Sequence, residues 1–391
     1  MRVLHLIHSL NPALGGTTEA LRQTVLADGG HPRHGQLRHQ VMTLDSPSAP
    51  WLADFPAPVH ALGPTGRFGW TPRLLPWLKQ HGREHDTWVV HGLWQYSGLA
   101  ARQAALGLAV PYFVVPHGML DPWFKRQYSF KHLKKWLYWP WAEYRVLRDA
   151  RAVLFTSEEE ASAAATSFWL YRARSAVVGL GLALDDIAQH SNSEAFLRAY
   201  PALQGCRLVL FLGRLHPKKG CDLLLQAFAQ VAAGDPHLRL VMAGPDAMAG
   251  DSGLHHLAAR LGIANQVLWT GLLQGPLKWS ALRAAEVFVL PSHQENFGMA
   301  VVEALACGLP VIVSNRVNIW REIVADGAGW AGPDTAQSTT QMLQQSLALT
   351  PAQRTAAGVR AQDCFQRRFH RDAVAQRWGQ ALAGHALATH E

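Results

Sequence analysis

The sequence predicts an α/β protein made of two doubly wound, parallel-sheet halves. Three observations carry that expectation. Short apolar runs rich in Val, Leu, Ile and Phe alternate with longer amphipathic stretches, the pattern of strands joined by crossover helices. At 391 residues the chain exceeds what one hydrophobic core ordinarily organises. The opening order of strand, glycine-bearing loop and helix at VLHLI (3–7) begins again at LVLFLG (208–213).

The elements follow in order. VLHLI is the first strand, with the loop HSLNPALGG and a helix from near Thr17 behind it. His5 and His8 interrupt its apolar run, so it reads as a strand and not as a signal peptide. WVV (88–90), YFVV (112–115) and AVLFT (152–156) are buried strands, the last followed by the acidic helix start SEEE. In the second half, LVLFLG leads into the loop RLHPKKG and the helix CDLLLQAFAQVA (221–232). LRLVMAG (238–244), QVLWTG (266–271), EVFVLPS (286–292) and PVIVS (310–314) continue the strand series. The join falls between Val177 and Leu203, where VVGLGLALDDI passes into a polar, irregular stretch. The expected boundaries are an N-terminal domain over 1–180, a C-terminal domain over 181–370, and a helix over 371–391 packing back on the first domain.

Composition narrows the function classes. With 49% apolar and 16% charged residues the chain folds and is not disordered. The net charge of +8 suits nucleic acid, anionic lipid or a phosphorylated small molecule, and does not choose among them. No two of Cys206, Cys221, Cys307 and Cys364 stand at C-x-x-C spacing, so neither a zinc site nor a redox pair is suggested, and the usage suits a reducing cytosol. No run of about eighteen apolar residues occurs, so no membrane-spanning helix is expected.

The most informative stretch is HQENFGMAVVEALACGLPVIVS (293–314). Glu295 lies in the loop after EVFVLPS, and Glu303 lies roughly two turns into the following apolar helix. The amides of Asn296, Phe297 and Gly298 fall at that helix's N-terminus, where unpaired donors favour an anion. A carboxylate accepts hydrogen bonds from sugar hydroxyls but not from phosphate oxygens. The pair therefore suits ribose, diphosphate and sugar laid end to end. A capping glutamate and an Arg-paired one would give the same spacing. The loop GRLHPKKG (213–220) places Arg214 and Lys219 after a strand, where two cations would neutralise a departing diphosphate, or form an ordinary solvated turn. Gly15 and Gly16 precede the first helix and would let backbone approach a phosphate, without the G-x-G-x-x-G dinucleotide fingerprint.

Two His-Gly pairs close the set. His91 and His117 each stand just past a buried strand, where open α/β sheets bind ligands. His117 is the stronger candidate, because Pro116 and Gly118 constrain its backbone. The segment DPWFKRQYSFKHLKKWLYWPWAEYRVLR (121–148) mixes aromatic and basic residues. Trp123, Lys131, Lys134 and Lys135 there suit an acceptor or an anionic membrane surface, stacked bases, or the solvated edge of a helix.

Together these motifs resemble the retaining glycosyltransferases of the GT-B architecture, family 4. GRLHPKKG, ENFGMAVVE and EALACGLPVIVS carry the resemblance, and PHGML and the Gly-Gly loop agree. It implies two Rossmann-like domains facing across a cleft, the first for acceptor and the second for nucleotide sugar. It further implies that Arg214 and Lys219 hold the donor diphosphate, Glu303 the ribose, and Glu295 the transferred sugar near the amides of Phe297 and Gly298. Gly16 would meet the diphosphate and His117 the sugar close to the reacting carbon. Asn296, Gly15 and Gly244, the last at the end of LRLVMAG, complete the candidate donor-binding set. No metal and no cofactor are expected, since the two cations replace a metal. The acceptor is expected to be a saccharide or a lipid-linked saccharide of polysaccharide biosynthesis, at the cytoplasmic face of the membrane. At 179–182 the chain reads GLGL where the family has an Asn-Gly hinge, and GLLQGPLKWS (271–280) shows no charge pattern that would read a base. The competing expectations are a nucleotide-sugar epimerase of the same fold and a basic nucleic-acid-binding protein. The latter lacks any recognisable binding motif, so no nucleic acid partner is expected.

Overall fold

In the computed structural model, residues 1–14, 16–29, 37–121, 136–169, 171–182, 193–245 and 253–384 are described. Contacts divide the chain into two units, Met1–Ala183 with Arg371–Glu391, and Leu184–His370. The first unit carries seven strands: β1 (Arg2–Ile7), β2 (Arg38–Thr43), β3 (Val59–Ala61), β4 (Thr87–His91), β5 (Tyr112–Val115), β6 (Ala152–Phe155) and β7 (Ser175–Val177). They form one sheet in the order β3-β2-β1-β4-β5-β6-β7, and each adjacent pair is parallel. The order reverses between β1 and β4, which opens a crevice at the carboxyl ends of those two strands.

The sheet is buried because both faces are covered. One face packs Leu4, Leu6, Trp88, Val90 and Val114 against the helix Tyr96–Leu108 through Ala100, Ala101 and Ala104. Small alanines let that helix approach closely. The other face packs Val3, Val89, Phe113 and Leu154 against Val374 and Trp378 of the terminal helix Arg371–Ala383. Several of the fifteen tryptophans serve this core. Trp139 is fully buried and stacks on Phe168 at 4.4 Å, with Trp94 beside both.

The GLGL stretch has a packing role in this unit. Gly179 adopts φ 77°, and a Cβ there would lie 2.9 Å from the Arg377 guanidinium. A Cβ on Gly181 would lie 3.0 Å from the Arg371 backbone. Both glycines admit the terminal helix against the end of β7, and Arg371 N–H donates to Leu182 O at 3.2 Å.

The second unit repeats the plan with six strands: β8 (Arg207–Leu212), β9 (Leu238–Ala243), β10 (Val267–Gly271), β11 (Val287–Leu290), β12 (Val311–Ser314) and β13 (Gly329–Gly332). The order β10-β9-β8-β11-β12-β13 again reverses, here between β8 and β11. Strand β11 is buried at every residue, which its unbroken Val-Phe-Val-Leu run requires. Arg207 ties the amino end of this sheet together, bonding Glu286, Asp235 and the Leu347 carbonyl. The helix Pro351–Cys364 starts on a capping box in which Thr350 and Gln353 bond each other's backbone.

Candidate active site

In the second unit, the crevice between β8 and β11 collects the candidate residues. After β8 the chain runs through Gly213 and Arg214 into a short 3-10 turn, Pro217–Lys219, which the His216 side chain caps. Gly220 then turns with φ 64°, and a Cβ there would lie 2.2 Å from the Pro291 carbonyl oxygen. That contact locks the Lys219 loop onto the loop after β11. His293 N–H donates to Lys218 O at 2.8 Å, and Lys218 Nζ reaches Gln294 at 3.2 Å. The Lys219 ammonium and the Glu295 carboxylate form a direct ion pair, both side chains about four-fifths covered. Arg214 is exposed and has no carboxylate partner among the described residues.

Glu295 is fixed from its own backbone. Its N–H donates to Arg316 O at 2.9 Å and its carbonyl accepts from Asn318 N at 3.0 Å, an isolated bridge to the segment after β12. Asn318 also donates to the Asn296 side chain at 3.4 Å. Phe297 is buried, edge-on to Phe369 at 5.7 Å. Gly298 takes φ 84° and starts the helix Met299–Ala306. Glu303 is its fifth residue, just over one turn in, because the helix begins at Met299 and not in the Asn-Phe-Gly turn. Lys278, from the helix Gly275–Ala284, meets Glu303 at 2.8 Å. So both carboxylates have lysine partners, and the Arg partner considered for Glu303 is Lys278 instead. That lysine comes from GLLQGPLKWS, the stretch read as lacking useful charge.

Gly244 stands at the end of β9 with φ 151°, and a Cβ there would lie 1.8 Å from Gly213 O. The Gly213–Arg214 turn therefore rests directly on Gly244 backbone. At the other end of the candidate set, Gly16 needs no glycine for its own chain, since a Cβ there meets nothing within 4 Å. Gly15, Trp123, Lys131, Lys134 and Lys135 lie outside the described residues.

The first unit holds its own cluster at the same kind of crevice. His91 is not past its strand but its last residue, and its ring is buried. His117 has φ 50°, a left-handed backbone that a histidine rarely adopts. Glu160 holds it there. This carboxylate is buried, and Oε1 accepts the Gly118 N–H at 2.6 Å. Its Oε2 accepts the Thr156 N–H at 2.8 Å and the Thr156 hydroxyl at 2.6 Å. Burial pushes its pKa up while the three donors pull it down. His117 Nε2 meets His91 Nδ1 at 2.9 Å, and burial lowers the His117 pKa to about 4. His91 in turn meets His5 at 2.9 Å, and His5 meets His39 at 2.8 Å.

Glu160, Lys278, His5 and His39 are absent from the sequence-based set. SEEE marks a helix start, but nothing in it says which glutamate turns inward. All four cysteines are unpaired thiols. Among the described residues no three His, Cys, Asp or Glu side chains are grouped to hold a metal ion, and no helix is long and apolar enough to cross a membrane.

Comparison with known proteins agrees with this architecture. Residues 3–181 match the family model "Glycosyl transferase 4-like domain" and residues 193–356 match "Glycosyl transferases group 1". A D-inositol 3-phosphate glycosyltransferase of Mycolicibacterium gilvum is 32% identical over 253 residues, covering 62% of this chain and 55% of that protein. D-inositol 3-phosphate glycosyltransferase 2 of Catenulispora acidiphila is 32% identical over 192 residues, covering 47% of this chain and 44% of that protein. The chain thus spans about half the length of these curated relatives. Among solved structures, HepE of Anabaena in complex with UDP and glucose aligns with TM-score 0.70 at 20% identity, over 98% of this chain and 100% of that one. Sucrose-phosphate synthase of Thermosynechococcus elongatus aligns with TM-score 0.71 at 21% identity, over 98% of both chains. Neither the epimerase nor the nucleic-acid-binding expectation is favoured by these matches. Two parallel-sheet α/β units of this order, with both domain models matched in sequence, mean that the chain has the GT-B fold and carries a glycosyl transferase 4-like domain followed by a glycosyl transferases group 1 domain.

Proposed function

We propose that this enzyme transfers a sugar from a UDP- or GDP-linked donor to a saccharide or lipid-linked saccharide acceptor, with retention of anomeric configuration and without a metal. The observation that carries the reading is the pairing of Lys219 with Glu295 at the carboxyl ends of β8 and β11, beside the exposed Arg214. An ammonium has three donors, so Lys219 can hold Glu295 and still bind diphosphate oxygens. Arg214 adds a bidentate fork. A carboxylate has about four acceptor sites, so Glu303 can keep Lys278 and still take ribose hydroxyls. Glu295 would meet hydroxyls of the transferred sugar, His117 the same sugar, and Gly16 the diphosphate. UDP gains support from HepE, which was solved with UDP and glucose.

In this reaction the acceptor oxygen bonds to the anomeric carbon as the bond from that carbon to the diphosphate breaks. Attack comes from the face the diphosphate leaves. The acceptor's proton passes to the departing phosphate oxygen, and Arg214 and Lys219 stabilise the negative charge that develops there.

Trp136, Trp141 and Trp169 are exposed, and the first and last have ring centroids 5.8 Å apart. Exposed indoles beside a basic segment support a peripheral contact with an anionic cytoplasmic membrane face, where a lipid-linked acceptor of polysaccharide assembly would lie. Calorimetric titration with UDP, GDP and ADP, on wild type and Glu303→Ala, tests the donor assignment. One diphosphate should bind with Kd near the micromolar range, about −8 kcal/mol, and the variant should lose it. Failure of all three to bind folded protein refutes the assignment.

A further inference from the structure

Four histidines of the first unit form a continuous chain with one uniform polarity. His117 Nε2 faces His91 Nδ1 at 2.9 Å, His91 Nε2 faces His5 Nδ1 at 2.9 Å, and His5 Nε2 faces His39 Nδ1 at 2.8 Å. Every link joins an Nε2 to the next ring's Nδ1. The sheet register explains why. His39 pairs with Val3, and His5 stands two residues further along β1. His5 pairs with Val89, and His91 stands two residues further along β4. His91 pairs with Val115, and His117 stands two residues beyond it. A step of two keeps His39, His5 and His91 on one face, and His117, past the end of β5 with its left-handed backbone, brings its ring onto His91, so the rings climb diagonally across four adjacent chain segments.

A neutral imidazole donates from one nitrogen and accepts at the other. In a head-to-tail chain that leaves two consistent arrangements. Either every ring carries its proton on Nε2, or every ring carries it on Nδ1. Any mixture sets N–H against N–H, or lone pair against lone pair, inside a region closed to water. His5 is wholly buried and His91 nearly so, and burial lowers the pKa of both rings well below the ordinary imidazole value, so neither escapes the choice by taking a second proton.

We infer that His5, His39 and His91 act as positioning residues that set the tautomer of His117, so that its outward Nδ1 is a donor or an acceptor according to the state of His39 at the far end. The inference rests on the proposed contact of His117 with the transferred sugar only for its consequence. With protons on Nε2, His117 accepts from a sugar hydroxyl; with protons on Nδ1, it donates. His39 is half-buried and lines a small cavity with Thr24, Leu37, Val374 and Trp378, so the far end answers to a different environment from the site.

The test is long-range proton–nitrogen correlation NMR on protein labelled with nitrogen-15 in histidine, at neutral pH. In wild type, His5, His91 and His117 should all show the pyrrole-type signal on the same-named nitrogen. Opposite assignments in adjacent rings, or averaged signals in any of the three, overturn the inference. His39→Asp supplies a carboxylate near the former Nδ1 that can only accept. It should pin the chain with protons on Nε2, so that His117 Nδ1 becomes pyridine-type. An Nδ1 proton retained on His117 in that variant, with the fold intact by circular dichroism, also overturns it. If His39→Asp fails to fold, the wild-type spectrum decides. Transferase activity is read separately: full activity in His117→Gln would refute the sugar contact whatever the tautomers are.

Discussion

Replacing Glu160 by Gln should uncouple catalysis from donor binding. Glu160 accepts three hydrogen bonds, from Gly118 N, Thr156 N and the Thr156 hydroxyl, at 2.6, 2.8 and 2.6 Å. Glutamine offers one oxygen. If that oxygen keeps Thr156, the new amide NH2 faces the Gly118 N–H, donor against donor. One buried bond to a charged acceptor is lost and its donor is left unsatisfied, a loss of about 2–4 kcal/mol. For a unit of this size each kcal/mol lowers Tm by about 2–4 °C, so a drop of roughly 5–15 °C is expected. The lost anchor is also what holds His117 at φ 50°. The left-handed backbone stores about 1–3 kcal/mol that the anchor must hold against. Once released, His117 leaves its position, and kcat should fall at least tenfold. Glu160 belongs to the first unit, whereas the Lys219–Glu295 and Lys278–Glu303 pairs belong to the second. Nucleotide Kd by calorimetry should therefore stay within about twofold of wild type, a difference of roughly 0.4 kcal/mol. Unchanged kcat with unchanged Tm would refute the anchoring argument. A kcat loss accompanied by an equal loss of nucleotide affinity would show that the effect is general unfolding and not the release of one loop.

Gly244→Ala puts a methyl group into Gly213 O, and should cost about 1–3 kcal/mol in stability while weakening nucleotide binding through Arg214; calorimetry and thermal melts read both. Arg214→Ala removes an exposed cation with no carboxylate partner among the described residues, so Tm should stay within the effect of about 0.5 kcal/mol while kcat/KM falls by about 2–4 kcal/mol of transition-state stabilisation. Acid should destabilise the first unit. The folded pKa of His117 is lowered to about 4, and those of His5 and His91 are lowered as well, so the unfolded chain takes up protons first. Stability is then fully present above the ordinary imidazole pKa and is lost as pH falls from about 6.5 toward 4, with His117 alone contributing about 3 kcal/mol. Glu160, raised by burial, works in the opposite direction, one group against three. A Tm flat over that window, by scanning calorimetry, would contradict the buried neutral chain. Trp141→Ser together with Trp169→Ser should weaken flotation with anionic liposomes and leave nucleotide binding unchanged; equal flotation would remove the membrane reading.

The central strands were plain in the sequence because a parallel strand buried on both faces shows an unbroken apolar run, whereas β2, with its Arg-His-Gln start, and the short edge strands β3, β7 and β13 carry no such run and were not legible. Arg214, Lys219, Glu295 and Glu303 were legible as candidates because each lies beside a glycine turn or within a short, strongly patterned stretch. Their pairings were not, since Lys219 meets Glu295 across 76 positions and Lys278 meets Glu303 across 25. A pairing at that separation is a property of which strands adjoin, which local spacing does not encode. GLGL showed the limit from the other side. Read alone it is a departure from the Asn-Gly hinge of the family it resembles, and its neighbours in space, Arg371, Val374 and Arg377, lie almost two hundred positions on.

The histidines make the same point about function. Taken singly, His5 is a polar interruption in a strand, His39 a residue at a strand start, and His91 and His117 two His-Gly pairs. Only the order β2-β1-β4-β5 brings them into one line, and only the step of two between paired positions, with the left-handed backbone of His117 past β5, turns their rings head to tail. Both conditions are satisfied at a sheet reversal, because β1 and β4 are neighbours there although more than eighty residues separate His5 from His91. The reversal that opens the crevice at the carboxyl ends of β1 and β4 is therefore also what lets a polar chain reach that crevice from the amino end of β2. The hydrogen-bonding character of a residue at the carboxyl end of the sheet is in this way coupled to side chains three strands away.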